Sequence, residues 1–139
     1  QLVGYPVFDL EDFGMGIRDY IHTLEQAIID SLTEMGIAAS RLKGATGVWL
    51  EADNPGHTRK ICAIGVKVSR SVTMHGFAFN VNTDLNYFRY IHPCGFIDKG
   101  VTSVERELGS VQSMDNIRTL LLHNLERVFH FKASPVSLD

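Results

Sequence analysis

Lys60-Ile61-Cys62-Ala63-Ile64-Gly65-Val66-Lys67-Val68-Ser69, then Arg70-Ser71-Val72 and Thr73-Met74-His75-Gly76-Phe77-Ala78-Phe79-Asn80-Val81, is the stretch that decides the fold. Both runs alternate and are rich in β-branched and aromatic residues, as strands are. The short connection makes them a hairpin. Side chains on a strand alternate between faces. Lys60, Cys62, Ile64, Val66 and Val68 fall on one face of the first strand; Ile61, Ala63, Gly65, Lys67 and Ser69 fall on the other. On the second strand Met74, Gly76, Ala78 and Asn80 oppose His75, Phe77, Phe79 and Val81. Ala63, Gly65, Gly76 and Ala78 are therefore small residues on single faces of two neighbours. Glycine inside a strand marks a close approach of ligand or backbone. If the two faces coincide, they floor a groove wide enough for an extended apolar chain; the alternative is a helix packed closely on that face. His75, on the bulky face, reads as a hydrogen-bonded core histidine. Cys62, between Ile61 and Ala63, reads as packing.

Upstream of the hairpin, Gln1 to Leu10 reads as a strand. Gly14 to Met35 reads as a helix, because Ile17, Tyr20, Ile21, Leu24, Ala27, Ile28, Ser31, Leu32 and Met35 repeat at three and four. Gly36 stops it. Gly47 to Leu50 is a short strand, and Asp53-Asn54-Pro55-Gly56-His57 a turn-rich loop. Downstream, Asp84 to Ile91 is a short helix or turn, and His92 to Lys99 a loop. Thr102 to Leu108 is a short helix closed by Gly109. Ser113 caps a final helix through His130, whose buried stripe is Ile117, Leu120, Leu121, Leu125, Val128 and Phe129. This order of strands and helices, with one hairpin, places the chain in the α/β or α+β class.

With 139 residues the chain forms one domain with one core. Its 45% apolar and 21% charged residues are ordinary globular usage. The net charge of -3, with basic residues scattered, argues against nucleic acid or an anionic membrane surface. No apolar run approaches the ~20 residues of a membrane span, and no signal-peptide pattern opens the chain. The chain starts without Met, directly in strand-like text, so its N-terminal part is expected upstream. Two cysteines, Cys62 and Cys94, fit a reducing cytosol better than a disulfide framework. With no CxxC pair they match no zinc spacing, and no metal site is expected.

The chemistry-bearing loop is Ile91-His92-Pro93-Cys94-Gly95. Proline fixes the backbone on one side of Cys94 and glycine frees it on the other. Such a loop presents a thiol beside a backbone N–H able to receive an oxyanion. An ordinary buried cysteine is the plainer reading. A free thiol titrates near ~8.5, so catalysis needs a partner for Cys94. His92, His75 and Lys60 are the candidates. His92 lies two residues from Cys94, which keeps a Cys–His hydrolase open.

Gln1-Leu2-Val3-Gly4-Tyr5-Pro6, Gly47-Val48-Trp49, Lys60-Ile61-Cys62-Ala63-Ile64-Gly65, His75-Gly76-Phe77-Ala78-Phe79-Asn80, Pro93-Cys94-Gly95 and Thr102-Ser103-Val104-Glu105 occur in that order. The ordered set resembles the lipoyl(octanoyl) transferases, the octanoyl-[acyl carrier protein]–protein N-octanoyltransferases. The resemblance implies the biotin/lipoate–protein ligase fold, a mixed sheet flanked by helices. It implies transfer of octanoyl from octanoyl-acyl carrier protein to a lysine of lipoyl domains, in 2-oxoacid dehydrogenases or the glycine-cleavage H protein. The family's nucleophile falls on Cys94 and its acid/base lysine on Lys60. The family's acyl-pocket segments fall on Ala63, Ile64 and Gly65, and on Gly76, Phe77 and Ala78. No cofactor and no metal are implied, and the enzyme is expected to be a cytoplasmic monomer.

The family also carries an Arg-Gly-Gly…Thr-x-His-x-Pro-Gly stretch that contributes to the acyl pocket and precedes the position of Gln1. Residues 1–139 are thus read as an octanoyltransferase catalytic domain without its N-terminal part. The loop from Glu51 to Thr58 is longer than the family's usual one. Two rivals remain. A lipoate– or biotin–protein ligase-like enzyme would use ATP and need no nucleophilic cysteine. A non-catalytic acyl-binding relative would not need to retain both Lys60 and Cys94.

Overall fold

The computed structural model describes residues 1–90 and 99–137. The strands are β1 (Leu2–Gly4), β2 (Ser40–Leu42), β3 (Ala45–Leu50), β4 (Arg59–Ser69), β5 (Val72–Phe79) and β6 (Gly100–Val101). The helices are α1 (Ile17–Glu34), α2 (Val104–Leu108) and α3 (Met114–Phe129), with a 3-10 helix over Leu85–Tyr90. One six-stranded sheet runs in the order β1-β5-β4-β3-β2, with β6 paired to β4. The β4–β6 pair is parallel and the others antiparallel, so the sheet is mixed.

The hairpin forms the centre of this sheet, with register from Ser69 opposite Val72 to Cys62 opposite Phe79. Its turn is tighter than expected from the sequence. Arg70 and Ser71 both have positive φ, 50° and 66°. That is the two-residue geometry whose twist matches the strands it joins.

Helix α1 lays Tyr20, Leu24, Ala27, Ile28 and Leu32 on the sheet, all fully buried. Helix α3 packs beside it, N-capped by Ser113 as expected. Ile117, Leu121 and Phe129 form its buried face, and Asn124 joins them. Asn124 donates to Ser31 Oγ at 3.0 Å and to Glu34 Oε1 at 2.9 Å, and accepts from Arg127 at 2.9 Å. A buried amide so satisfied costs little and fixes how the two helices register.

The opening strand is interrupted. Gly4 stands opposite Phe77 and Asp9 opposite Val72, so one register runs through the whole segment. Ladder pairing lapses around Pro6, which has no N–H to give. The Thr73 hydroxyl takes over there, donating to Pro6 O and accepting from Phe8 N. Strands β2 and β6, three and two residues long, carry too little alternation to stand out in the sequence. Among the described residues no helix is long and apolar enough to cross a membrane.

Candidate active site

A β-bulge near the start of β4 organises the site. Val48 lies opposite Cys62, but Trp49 lies opposite Lys60. Strand β4 thus spends two steps where β3 spends one, and Ile61 is the extra residue. Opposed residues share a face, and successive residues on a strand alternate. Val48 and Cys62 face the helices and are fully buried. Trp49 and Lys60 therefore occupy the other face, together with Ala63 and Gly65. Strict alternation from Lys60 had placed it with Cys62; the bulge corrects that assignment.

Lys60 is only 6% exposed, and its Nζ lies 4.5 Å from the centroid of the Trp49 ring. The ring is anchored by an indole hydrogen bond from Nε1 to Ala45 O at 3.0 Å. Gly47, with φ 122°, makes room beside them. A Cβ there would sit 2.6 Å from Cys62 O and 3.5 Å from Lys60 Cε. The Gly47 amide is held from the helix layer by Glu25, whose Oε1 accepts it at 3.0 Å while Oε2 accepts from Arg41 at 2.9 Å. Glu25 is buried at 6% exposure, and sequence reasoning missed it. The available signal was a carboxylate four residues after Ile21 and three before Ile28, inside the apolar stripe.

Both ends of the segment that contains Cys94 are fastened beside Lys60. Where β5 stops, Asn80 N donates to Ile61 O at 3.0 Å; on the return, Thr102 N donates to Lys60 O at 2.9 Å. Asn80 joins the two ends, its Nδ2 donating to Thr102 O and its carbonyl accepting from Val104 N. Cys94 itself, with His92, Pro93 and Gly95, lies outside the described residues. Cys62 is enclosed, and burial pushes its thiol well above the ordinary range, with the Lys60 charge partly opposing the shift. A thiol so held is a packing group.

The small residues meet in register, Ala63 opposite Ala78 and Gly65 opposite Gly76. They differ in what lies above them. Gly65 is exposed, with nothing within 4 Å of where its Cβ would be. The corresponding position at Gly76 falls 2.1 Å from Gly4 O and 2.8 Å from Pro6 Cδ, so β1 occupies that space. Ile64 and Phe77 are an opposed pair on the helix face, with Phe77 in the core and Ile64 packed against it. His75 is not a core residue. It is exposed at φ 62°, and this left-handed backbone takes it out of the alternation that had placed it inside. Among the described residues no cluster of three or more His, Cys, Asp and Glu could hold a metal ion.

The mixed sheet thus carries helices on one face and, on the other, a buried lysine beside a bulge and a strip of small residues. The lipoyl protein ligase A/B catalytic domain family matches residues 1–126, and the chain belongs to that family. It is 59% identical over 129 residues to an octanoyltransferase of Porphyromonas gingivalis, covering 93% of this chain and 25% of that protein. It is 53% identical over 137 residues to an octanoyltransferase of Bacteroides thetaiotaomicron, covering 99% of this chain and 60% of that protein. The chain thus spans less than two thirds of either relative. In structure it is similar to a biotin protein ligase from Aquifex aeolicus, with TM-score 0.68 at 14% identity over 91% of this chain and 48% of that one. That likeness establishes the fold expected from the sequence.

Proposed function

We propose that this chain is the catalytic part of an octanoyltransferase that moves octanoyl from acyl carrier protein to a lysine of a lipoyl domain, through an octanoyl-Cys94 thioester. The observation that carries this reading is the β4 bulge, which brings the buried Lys60 amine to the face of Ala63, Gly65 and Ala78. The names of the relatives agree with it. In the resting enzyme Lys60 has taken the Cys94 proton, leaving a thiolate–ammonium pair, and the thiolate attacks the octanoyl thioester. The carrier C–S bond breaks, and the carrier thiolate leaves with the proton that Lys60 returns. The target lysine amine then attacks octanoyl-Cys94, an amide forms, and Lys60 keeps the amine's proton beside the restored Cys94 thiolate. Thioester exchange is nearly isoenergetic and amide formation is downhill, so the cycle needs no ATP. The eight-carbon chain lies along the small-residue strip, and the reaction is cytoplasmic.

The test is single-turnover incubation of the intact enzyme with octanoyl-acyl carrier protein, followed by intact mass and peptide mapping. One octanoyl group on Cys94 is expected, absent in Cys94→Ser. Lys60→Ala should slow acylation by ~10²–10⁴-fold, the usual worth of a positioned acid/base group. Lys60→Arg should not rescue it, because a guanidinium stays protonated. Octanoyl mapped to Cys62, or His92→Ala abolishing acylation that Lys60→Ala spares, overturns the reading.

A further inference from the structure

We infer that Trp49 is the positioning residue for the Lys60 amine: its ring face fixes where the ammonium sits on the small-residue side of the sheet. The inference rests on the Lys60 role proposed above and adds what makes that role possible. A lysine amine rides on a four-carbon stem with many rotamers, so burial alone does not say where it stops. Here three features limit it. The bulge at Ile61 turns Lys60 onto the face of Trp49 rather than that of Cys62. The missing side chain at Gly47 leaves the space beside Lys60 Cε; the absent Cβ would be 3.5 Å from that carbon. The Trp49 ring then meets the amine at 4.5 Å from its centroid.

The ring is suited to this because it cannot swing away. It is 1% exposed, and Nε1 donates to Ala45 O on its own strand. The negative face of an indole attracts an ammonium, more strongly when both are shielded from water. Packing alone would need only bulk at position 49, whereas holding an ammonium needs a π face. Among the described residues, Glu25 from α1 and Cys62 on β4 are ionisable groups close to this junction. Glu25 is engaged with Gly47 and Arg41, and Cys62 is turned to the opposite face.

Two measurements separate this from a structural role. Trp49 is the only tryptophan of the chain, so its emission reports on the charge above it. An ammonium over an indole quenches it, so Lys60→Met should brighten and shift the emission relative to wild type. In single-turnover octanoyl transfer, Trp49→Leu should be slower than wild type by roughly tenfold or more, the value of a shielded cation–π contact. Trp49→Phe loses the same hydrogen bond to Ala45 but keeps a π face, and should recover much of that loss. Superimposable emission from wild type and Lys60→Met overturns the inference, even if Trp49→Leu fails to fold. Equal losses in Trp49→Leu and Trp49→Phe overturn it as well. If Lys60→Ala leaves transfer intact, the catalytic reading of Lys60 falls, while the emission comparison still judges the contact.

Discussion

The proposed mechanism gives the two cysteines different roles, and the difference has a direct readout. Cys62 is fully buried, with its Sγ 3.6 Å from Ala63 O, and burial raises its thiol far above the ordinary range. Alkylation requires thiolate and access, and Cys62 has neither. Native protein treated with iodoacetamide at neutral pH should therefore be modified at Cys94 and spared at Cys62, with both modified in denaturant. Modification of Cys62 at a rate similar to a free thiol would refute the burial argument. At this scale the sequence predicted the burial of Cys62, because a mid-strand position between apolar neighbours predicts burial. It could not place Lys60. Alternation puts Lys60 with Cys62, and only the extra residue Ile61 reverses that. A bulge depends on what β3 offers opposite, here Trp49 and a Gly47 held at φ 122°, so one strand's text does not contain it. Glu25 was obscure for the same reason, since its partner amide belongs to β3.

Among the elements, the hairpin, α1 and α3 could be read with boundaries close to those observed, because each has a long periodic pattern. Strands β2 and β6 could not, and both exist through pairing to a longer neighbour. The small-residue strip was legible as composition but not as space. Gly65 and Gly76 look equivalent in sequence and are opposed in register, yet β1 crosses only over Gly76. This separates their variants. Gly76→Val drives a side chain into Gly4 O and Pro6 and should displace β1. It should lower the urea midpoint and reduce transfer of long and short acyl groups alike. Gly65→Val meets open space on a strand and should leave the urea midpoint nearly unchanged. If the octanoyl chain lies on the strip, Gly65→Val should weaken octanoyl donors more than acetyl donors. Each buried CH₂ is worth ~0.8 kcal/mol, so full use of the strip discriminates by several kcal/mol. Equal effects of Gly65→Val on octanoyl and acetyl donors would move the acyl chain elsewhere.

For the molecule as a whole, the loop before β4, the sheet and α2 are tied together at Arg59. Its Nη1 donates to Glu51 at 2.6 Å, and its Nε and Nη2 donate to the two oxygens of Glu107 at 2.7 and 2.8 Å. The Thr102 hydroxyl donates to the same carboxylate. Arg59 immediately precedes Lys60, and Thr102 N is bonded to Lys60 O, so this junction borders the candidate site. The hydrogen bonds from Arg59 hold the Glu107 carboxyl below the usual carboxylate range, against the opposing effect of burial. A carboxylate whose folded pKa is depressed takes up protons more readily when unfolded. Its stabilisation is complete above the unfolded value of ~4.3 and is lost as pH falls through the lower folded value. Glu107→Gln removes that charge while keeping the shape. Urea midpoints of wild type and Glu107→Gln should differ at neutral pH, with wild type the more stable, and converge as pH falls below ~4.3. Glu51 and Glu126 also have depressed pKa values, but they titrate in both proteins, so the difference curve isolates Glu107 to first order. Curves that stay parallel into acid would mean that the Arg59–Glu107 charge pair contributes no net stability. In that case hydrogen-bond geometry alone would hold β6 and α2 against the start of β4.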